Sequence, residues 1–453
     1  MRRAKRSSGP FPHGMPGRAG ARGVGFPERE RAVLPNGVTV VATRTPGLHS
    51  AMVAVYVRAG SRHETRELNG VSHFLEHLLF RGSEGYPETL VMNAAVESAG
   101  GSLNAMTARD HSCYYTPIHP SALETGIAVL ADIIRRPLLR GMDVERQVIL
   151  EEILDEVDSN GRDVDPDNLA KRMAFGSHPL GFKIASTPHT IRNLREGHVR
   201  RHHAALYTGP NVVLAAAGPA PFEEVLAIAR RQMSAIPAGA PSAAAPAPRW
   251  PLGPLYRAID HDDAQTEFTL AFPSVPEQNA DHPATLCLRR LLDDGLSSRL
   301  PYEIIEQKGL AYTIHAGLET FEDTGLFTFD GACSPGKLGL VISEILSLLV
   351  RMRDEPVQDD ELERGKRRHR MSLTFALDNP YELAGWIGTG EILGWPETLE
   401  QRCRRVERVT AADVRRVARR MFQRRNLLAV AVGPDGRSAR RALVRAVECS
   451  GLP

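Results

Sequence analysis

The chain carries nearly the same stretch twice. VRRHHAALYTGPNVVLAAAGP begins at Val199 and VRRVARRMFQRRNLLAVAVGP begins at Val414, an offset of 215 residues. Applied elsewhere without gaps, that offset sets AMVAVYVRAG from Ala51 opposite TEFTLAFPSV from Thr266 and pairs Pro120 with Pro335 and Leu123 with Leu338. Self-similarity that persists along a chain implies two copies of one structural unit. Between the copies, residues 237–254 hold six prolines and almost no charge, the composition of an extended, semi-rigid linker.

The expected organisation is therefore a basic tail over 1–30, a first half over 31–236, the Pro/Ala-rich linker over 237–254 and a second half over 255–453. A length of 453 residues suits two domains of about 200 residues each. The tail is rich in Arg, Gly and Pro but lacks the apolar run of a secretory signal, and its Gly and Pro content also spoils the amphipathic helix of a mitochondrial transit peptide. In each half, strand-like runs such as VTVVAT and AMVAVYV mix with helical runs from about Ser121 and Asp143. The fold class is α+β: two homologous halves, each a mostly antiparallel sheet with helices packed on one face.

Composition excludes several functions. The net charge is +2, with 56 Lys and Arg against 54 Asp and Glu, so no broad basic field draws nucleic acid. No run of about 18 apolar residues could span a bilayer, and no glycine-rich phosphate loop stands between a strand and a helix. Cys113, Cys287, Cys333, Cys403 and Cys449 are odd in number and widely spaced, which argues against a disulfide framework and for a reducing compartment.

The chemistry is concentrated in NGVSHFLEHLLFRG, residues 69–82, where Gly70 and Gly82 bracket a run of good helix formers. On a helix, His73 and His77 leave the same face about one turn apart, so both imidazoles can meet one metal ion. Glu76 stands about 60° from His73 and about 100° from His77, within reach of a water on that metal. Zinc suits such a site because it takes imidazole and carboxylate ligands and keeps a position open for water. Glu76 is then the base that takes the water's proton. Phe74, Leu75, Leu78 and Leu79 cover the rest of the helix and predict a partly desolvated site.

A third ligand is expected on DVERQVILEEILDEVD, a helical run from Asp143. Glu145, Glu152 and Glu156 fall within about 40° of one another there, while Glu151 points about 100° away. Carboxylates stacked on one stripe beside apolar neighbours repel unless a cation compensates. Glu152 is the expected ligand. His198, His202 and His203 read as structural, and Cys113 as a small core residue.

His-x-x-Glu-His followed 75 residues later by Glu152 resembles the inverted zinc peptidases of the pitrilysin and insulinase superfamily, in particular its mitochondrial-processing-peptidase-like branch. GVSHFLEHLLFRGSE, ESAGGSLNAMTARDHSCYY, ERQVILEEI, GLSSRLPYEIIEQKGLAY and NLLAVAVGP carry the likeness, in family order, from about residue 31 to 435. The resemblance implies a zinc metalloendopeptidase with one Zn2+ per chain on His73, His77 and Glu152, and water activated by Glu76. It further implies that Glu145 supports the site. Ser102, Leu103, Asn104 and Ala105 would receive substrate as an added β-strand, which favours short or unfolded polypeptides. Each chain would form half of a clam-like chamber.

Two features qualify that picture. Under the 215 offset His73, Glu76 and His77 face Leu288, Leu291 and Leu292, and Glu152 faces Arg367, so the second half cannot repeat the metal site. Active relatives place an arginine seven residues before the tyrosine of the GLAY segment; here Ile305 precedes Tyr312. With half of that substrate-gripping pair missing, the expectation is a catalytic subunit of a heterodimer whose homologous partner carries the Arg/Tyr pair, a homodimer being the other arrangement, with Arg299 or Lys308 as local substitutes. A non-catalytic core subunit of a larger complex is the alternative function. The expected location is the bacterial cytoplasm, the mitochondrial matrix being the second choice.

Overall fold

A computed structural model describes residues 25–453. The first half runs β1 (Arg29–Val33), β2 (Thr39–Arg44), β3 (Ala51–Val57), α1 (Val71–Leu79), α2 (Thr89–Glu97), β4 (Asn104–Thr107), β5 (Ser112–Ile118), α3 (Leu123–Arg135), α4 (Met142–Leu154), α5 (Pro166–Phe175), α6 (Pro188–Asn193), α7 (Glu196–Leu206), β6 (Val212–Gly218) and α8 (Phe222–Met233). The second runs β7 (Leu255–Asp260), β8 (Thr266–Ser274), α9 (His282–Leu292), β9 (Thr313–Thr320), β10 (Gly325–Cys333), α10 (Leu338–Asp354), α11 (Asp359–Phe375), α12 (Pro380–Ile392), α13 (Leu399–Glu407), α14 (Ala411–Met421), β11 (Leu428–Gly433) and α15 (Gly436–Glu448).

The repeat is visible in the topology. Apart from β1, the sheets have the same strand order, β2-β6-β3-β5-β4 and β7-β11-β8-β10-β9. Each has one parallel pair, β2 with β6 and β7 with β11, and is otherwise antiparallel. α3 and α10 start at Leu123 and Leu338, and α7 and α14 at Glu196 and Ala411, both at the offset read from the sequence.

The central strands are buried on both faces, and period-2 alternation sorts their side chains into separate cores. Val53, Val55 and Val57 of β3 join Leu214 and Ala216 of β6 against α1, α3, α7 and α8. Their neighbours Ala54 and Tyr56, with Val213 and Ala215, instead meet Ile387 and Ile392 of α12, a helix of the second half. The exchange is reciprocal. Leu169, Ala170, Ala174 and Phe175, of α5, cover Leu428, Val430 and Val432 of β11. Helices of each half thus line one face of their own sheet, and the opposite face is covered from the other half, by α5 on the second sheet and on the first mainly by α12, with Leu377, and Leu399 of α13, beside Met52 and Ala217.

The linker over 237–254 runs extended but is held to both halves: Ser242 N donates to Asn211 Oδ1 (2.7 Å), Ala247 N to Asp323 Oδ2 (2.8 Å) and Trp250 Nε1 to the Asn426 carbonyl (2.8 Å). The tail boundary needs correction, because Arg29 and Glu30 already belong to β1. Arg29 and Arg31 both pair with Glu391 of α12, which anchors the strand. Residues 1–24 of the expected tail lie outside the described residues. Among the described residues no helix is long and apolar enough to cross a membrane.

Candidate metal centre

The motif helix α1 starts where only glycine serves. Gly70 has φ of +86°, and a Cβ there would lie 2.6 Å from Ser186 Cβ. No side chain caps the helix at that position; the buried Glu64 does so from outside, accepting from Gly70 N (2.7 Å), Ser72 N (2.8 Å) and Asn69 Nδ2 (2.9 Å). A carboxylate there satisfies orphan amides and complements the positive end of the helix. Phe74, Leu75, Leu78 and Leu79 are fully buried, each contributing about 1.5–3 kcal/mol by burial. Their packing fixes the rotation of α1, so the histidines emerge at the rim of this core.

His73 Nε2 and His77 Nε2 stand 3.3 Å apart. Glu152 of α4 places Oε2 3.7 Å from the first and Oε1 3.7 Å from the second. A tetrahedral zinc with bonds of about 2.0–2.1 Å separates its ligand atoms by about 3.3 Å, so these residues fit the ion in chemistry and spacing. They form the one group among the described residues that brings three metal-ligating side chains so close. α4 is held beside α1 by Arg146, whose guanidinium lies 5.4 Å from the Phe74 ring centroid and which donates to the Ile191 carbonyl.

Protonation follows from contacts. His77 Nδ1 meets Glu145 Oε2 at 2.9 Å; an ionised carboxylate only accepts, so Nδ1 is the donor of this contact and Nε2 is the nitrogen turned toward His73 and Glu152. Arg81 takes the other oxygen of Glu145. Burial, with His77 beside it, pushes His73 down to about 4, leaving a neutral imidazole at pH 7. Glu76 is raised from the usual carboxylate range by burial, against the opposing hydrogen bond donated by Thr107 Oγ1.

Other expected residues are placed differently. Glu156 lies beyond the end of α4 and forms an ion pair with Lys183 Nζ at 2.8 Å, so it leaves the stripe. The strand begins at Asn104, so Ser102 and Leu103 precede it. Asn104 Nδ2 turns back to the Ser102 carbonyl, and β4 runs on through Ala105 to Thr107 as the end strand of its sheet. Tyr312 stands 85% exposed on the loop before β9, in the second half. Ile305 sits in a π-helical turn, Pro301–Glu306, and packs against the second core. Arg299 is held bidentately by Glu361 (2.9 and 2.7 Å) and Lys308 by Glu344 (2.5 Å). His202 bonds Ser72 Oγ (2.9 Å) and His203 the Ile134 carbonyl (2.8 Å), both structural contacts.

Thr107, Arg81 and Glu64 went unnoticed in the sequence. For Thr107 a signal existed: it follows Ala105 by two residues and so shares its face of the strand. Glu64 and Arg81 left none, since each acts across a turn or between helices.

Residues 39–187 match the Insulinase (Peptidase family M16) family, and residues 193–368 match the Peptidase M16 inactive domain family. An uncharacterized zinc protease of Mycobacterium tuberculosis is 31% identical over 436 residues, covering 93% of this chain and 97% of the relative. The chain belongs to peptidase family M16. The beta subunit of the mitochondrial-processing peptidase of Blastocladiella emersonii is 29% identical over 421 residues, 90% of this chain and 89% of the relative. The fold is shared with a protease from Helicobacter pylori at a TM-score of 0.82 and 21% identity, over 90% of this chain and 100% of that one. His73, His77 and Glu152 all lie in the segment that matches the peptidase family, and the match to the inactive domain begins near the end of the first half and runs into the second.

Proposed function

We propose that this chain is a zinc-dependent peptidase of short or unfolded polypeptides, with one zinc ion held by His73, His77 and Glu152. The observation that carries this reading is the convergence of two imidazole nitrogens and a carboxylate at 3.3–3.7 Å, with Glu76 beside His77 on the same helix. When bound, zinc supplies the Lewis acidity that lowers the pKa of a water and polarises a carbonyl. Glu76 takes the proton of the attacking water and passes it to the departing amine. Thr107 aims the Glu76 carboxylate, and Glu145 orients His77 while Arg81 holds Glu145. The outer edge of β4, with Asn104 and Ala105, receives the substrate backbone as an added strand, which demands an extended segment and little sequence.

The chain works as the catalytic subunit of a heterodimer. Support comes from Ile305 at the arginine position and from the engagement of Arg299 and Lys308 with Glu361 and Glu344, which leaves neither cation free to replace it. A homologous partner would supply an Arg/Tyr pair, the arginine stabilising charge on the scissile carbonyl oxygen. Five cysteines without disulfides suit a reducing setting such as the bacterial cytoplasm.

The test is cleavage of a mixed peptide library by the zinc-loaded chain beside Glu76→Gln, which keeps the ligands and removes the base. Cleavage by the wild type alone establishes the peptidase and shows that no partner is needed. If neither cuts with one zinc bound, a co-purified homologous partner must restore cleavage for the heterodimer to stand. Absence of zinc binding overturns the reading.

A further inference from the structure

We propose that the groove between α10 and α15 of the second half is a docking site for an acidic amphipathic helix of a partner protein, a proposal independent of the peptidase reading above. The groove encloses about 1210 Å³, and its lining includes Gly339 and Leu340 of α10 and Ser438, Arg441, Ala442 and Arg445 of α15. The first half has the same groove between α3 and α8, but there it encloses only about 210 Å³.

α3 and α10 start at Leu123 and Leu338, the common offset, whereas α8 and α15 start at Phe222 and Gly436, one residue short of it. In that register Glu124 corresponds to Gly339, Glu224 to Ser438, Ala227 to Arg441, Ile228 to Ala442 and Arg231 to Arg445. Every one of these residues lines its own groove. In the first half Glu124 reaches across and pairs with Arg231 at 2.8 Å, which bridges the two helices. In the second half only the cation of that bridge survives: Arg445 is kept, and Gly339 has no carboxylate to meet it. Loss of the Glu224 carboxylate and gain of Arg441 shift the charge in the same direction, and the exchange of Ile228 for Ala442 widens the groove.

A partner can supply what the second half lacks. The side chains of Arg440, Arg441 and Arg445 are exposed and form no ion pair or hydrogen bond among the described residues. Of the two acids that line the groove, Asp435 caps its own helix, accepting from Ser438 N (3.0 Å), and Glu448 stands at the far end of α15. Leu340 is 58% exposed where the first half has Thr125. An apolar contact beside unpaired cations complements a helix with leucines on one face and carboxylates next to them. Arg441 and Arg445 are one turn apart, so carboxylates one turn apart on the partner meet both. A phosphate backbone would meet the arginines but leave Leu340 without an apolar partner, and a flat bilayer does not enter a groove.

Gly339→Glu rebuilds the bridge of the first half. A Cβ at Gly339 meets the Ala442 Cβ at 3.5 Å, an ordinary contact, and glutamate is a better helix former than glycine. The experiment measures, by fluorescence anisotropy, binding of a labelled amphipathic peptide with leucines on one helical face and glutamates one turn apart beside them. The protein is the full chain carrying Glu76→Gln, which spares the probe from cleavage, with and without Gly339→Glu. A second variant, Arg441→Ala with Arg445→Ala, removes the cations without touching α10. The same peptide with Gln for Glu, a single-stranded oligonucleotide and phosphatidylglycerol vesicles are the other probes.

The expected result is binding of the acidic peptide that weakens about tenfold or more in either variant and for the Gln peptide, with Tm retained. No binding of the acidic peptide, equal binding of the Glu and Gln peptides, or unchanged affinity in the variants overturns the docking site. Binding of the oligonucleotide or the vesicles that the variants abolish, without binding of the peptide, overturns the protein partner and assigns the groove to that other anion.

Discussion

Glu145 holds His77 Nδ1 at 2.9 Å while Arg81 takes its other oxygen, so a buried carboxylate on α4 sets the tautomer of a histidine on α1. Such partners of a ligating histidine are worth about 10–100-fold in metal affinity. Glu145→Gln is expected to weaken zinc binding by that amount, measured by competition with a chromogenic chelator, and Arg81→Ala by less. Equal affinity in all three proteins would show that the contact orients nothing.

Thr107 is joined to Glu76 by a hydrogen bond and does not reach the ligands. Thr107→Val should lower kcat about tenfold or more with zinc content unchanged, whereas Thr107→Ser, which keeps the hydroxyl, should restore it. A change confined to KM would instead assign Thr107 to substrate binding.

The protein is expected to lose stability in mild acid through His369. Burial, with the positive charges of Arg290 and Arg402 and with His282 nearby, pushes this imidazole down to about 3. The unfolded chain takes up a proton near pH 6.5 and the folded one does not. Stability is therefore complete above pH 6.5 and falls by about 1.4 kcal/mol per pH unit below it, until the folded imidazole itself titrates. Neither ring nitrogen has a hydrogen-bond partner, so His369→Leu orphans nothing. That variant should lose fewer degrees of Tm than wild type between pH 7 and pH 4.5.

The exchanged helices α5 and α12 should keep the halves together after the chain is cut. A protease site inserted after Ala244 is expected to give two fragments that elute as one species and melt in one transition. Gly388→Ala should loosen this junction, because its Cβ would enter the space of the Tyr56 ring. Overpacking of this kind costs about 1–3 kcal/mol, read as a lower Tm of the cut protein. Separation of the wild-type fragments would contradict the exchange.

Much of this molecule is written in local spacing. His73, Glu76 and His77 are neighbours on a helix, and Glu152 lies on one turn-by-turn stripe with Glu145, so helical periodicity alone brings the candidate ligands to shared faces. The repeat is equally legible, because equivalent strands and helices demand equivalent patterns. Periodicity does not report where a helix stops. Glu156 fits the stripe on paper, but α4 ends at Leu154 and the carboxylate turns to Lys183.

Contacts between elements distant in sequence were decided by the tertiary structure. β3 and β6 are apolar on both faces, yet nothing in them names α12 as the second cover, since any apolar helix face satisfies the same pattern. Arg299 and Lys308 looked available because a sequence shows a cation and not its partner; Glu361 and Glu344 lie 62 and 36 positions away. Thr107 gained its contact with Glu76, and Glu64 its place over the start of α1, only when packing carried them there. Periodicity is a property of neighbours along the chain, whereas the choice among chemically equivalent partners is made by how the elements pack.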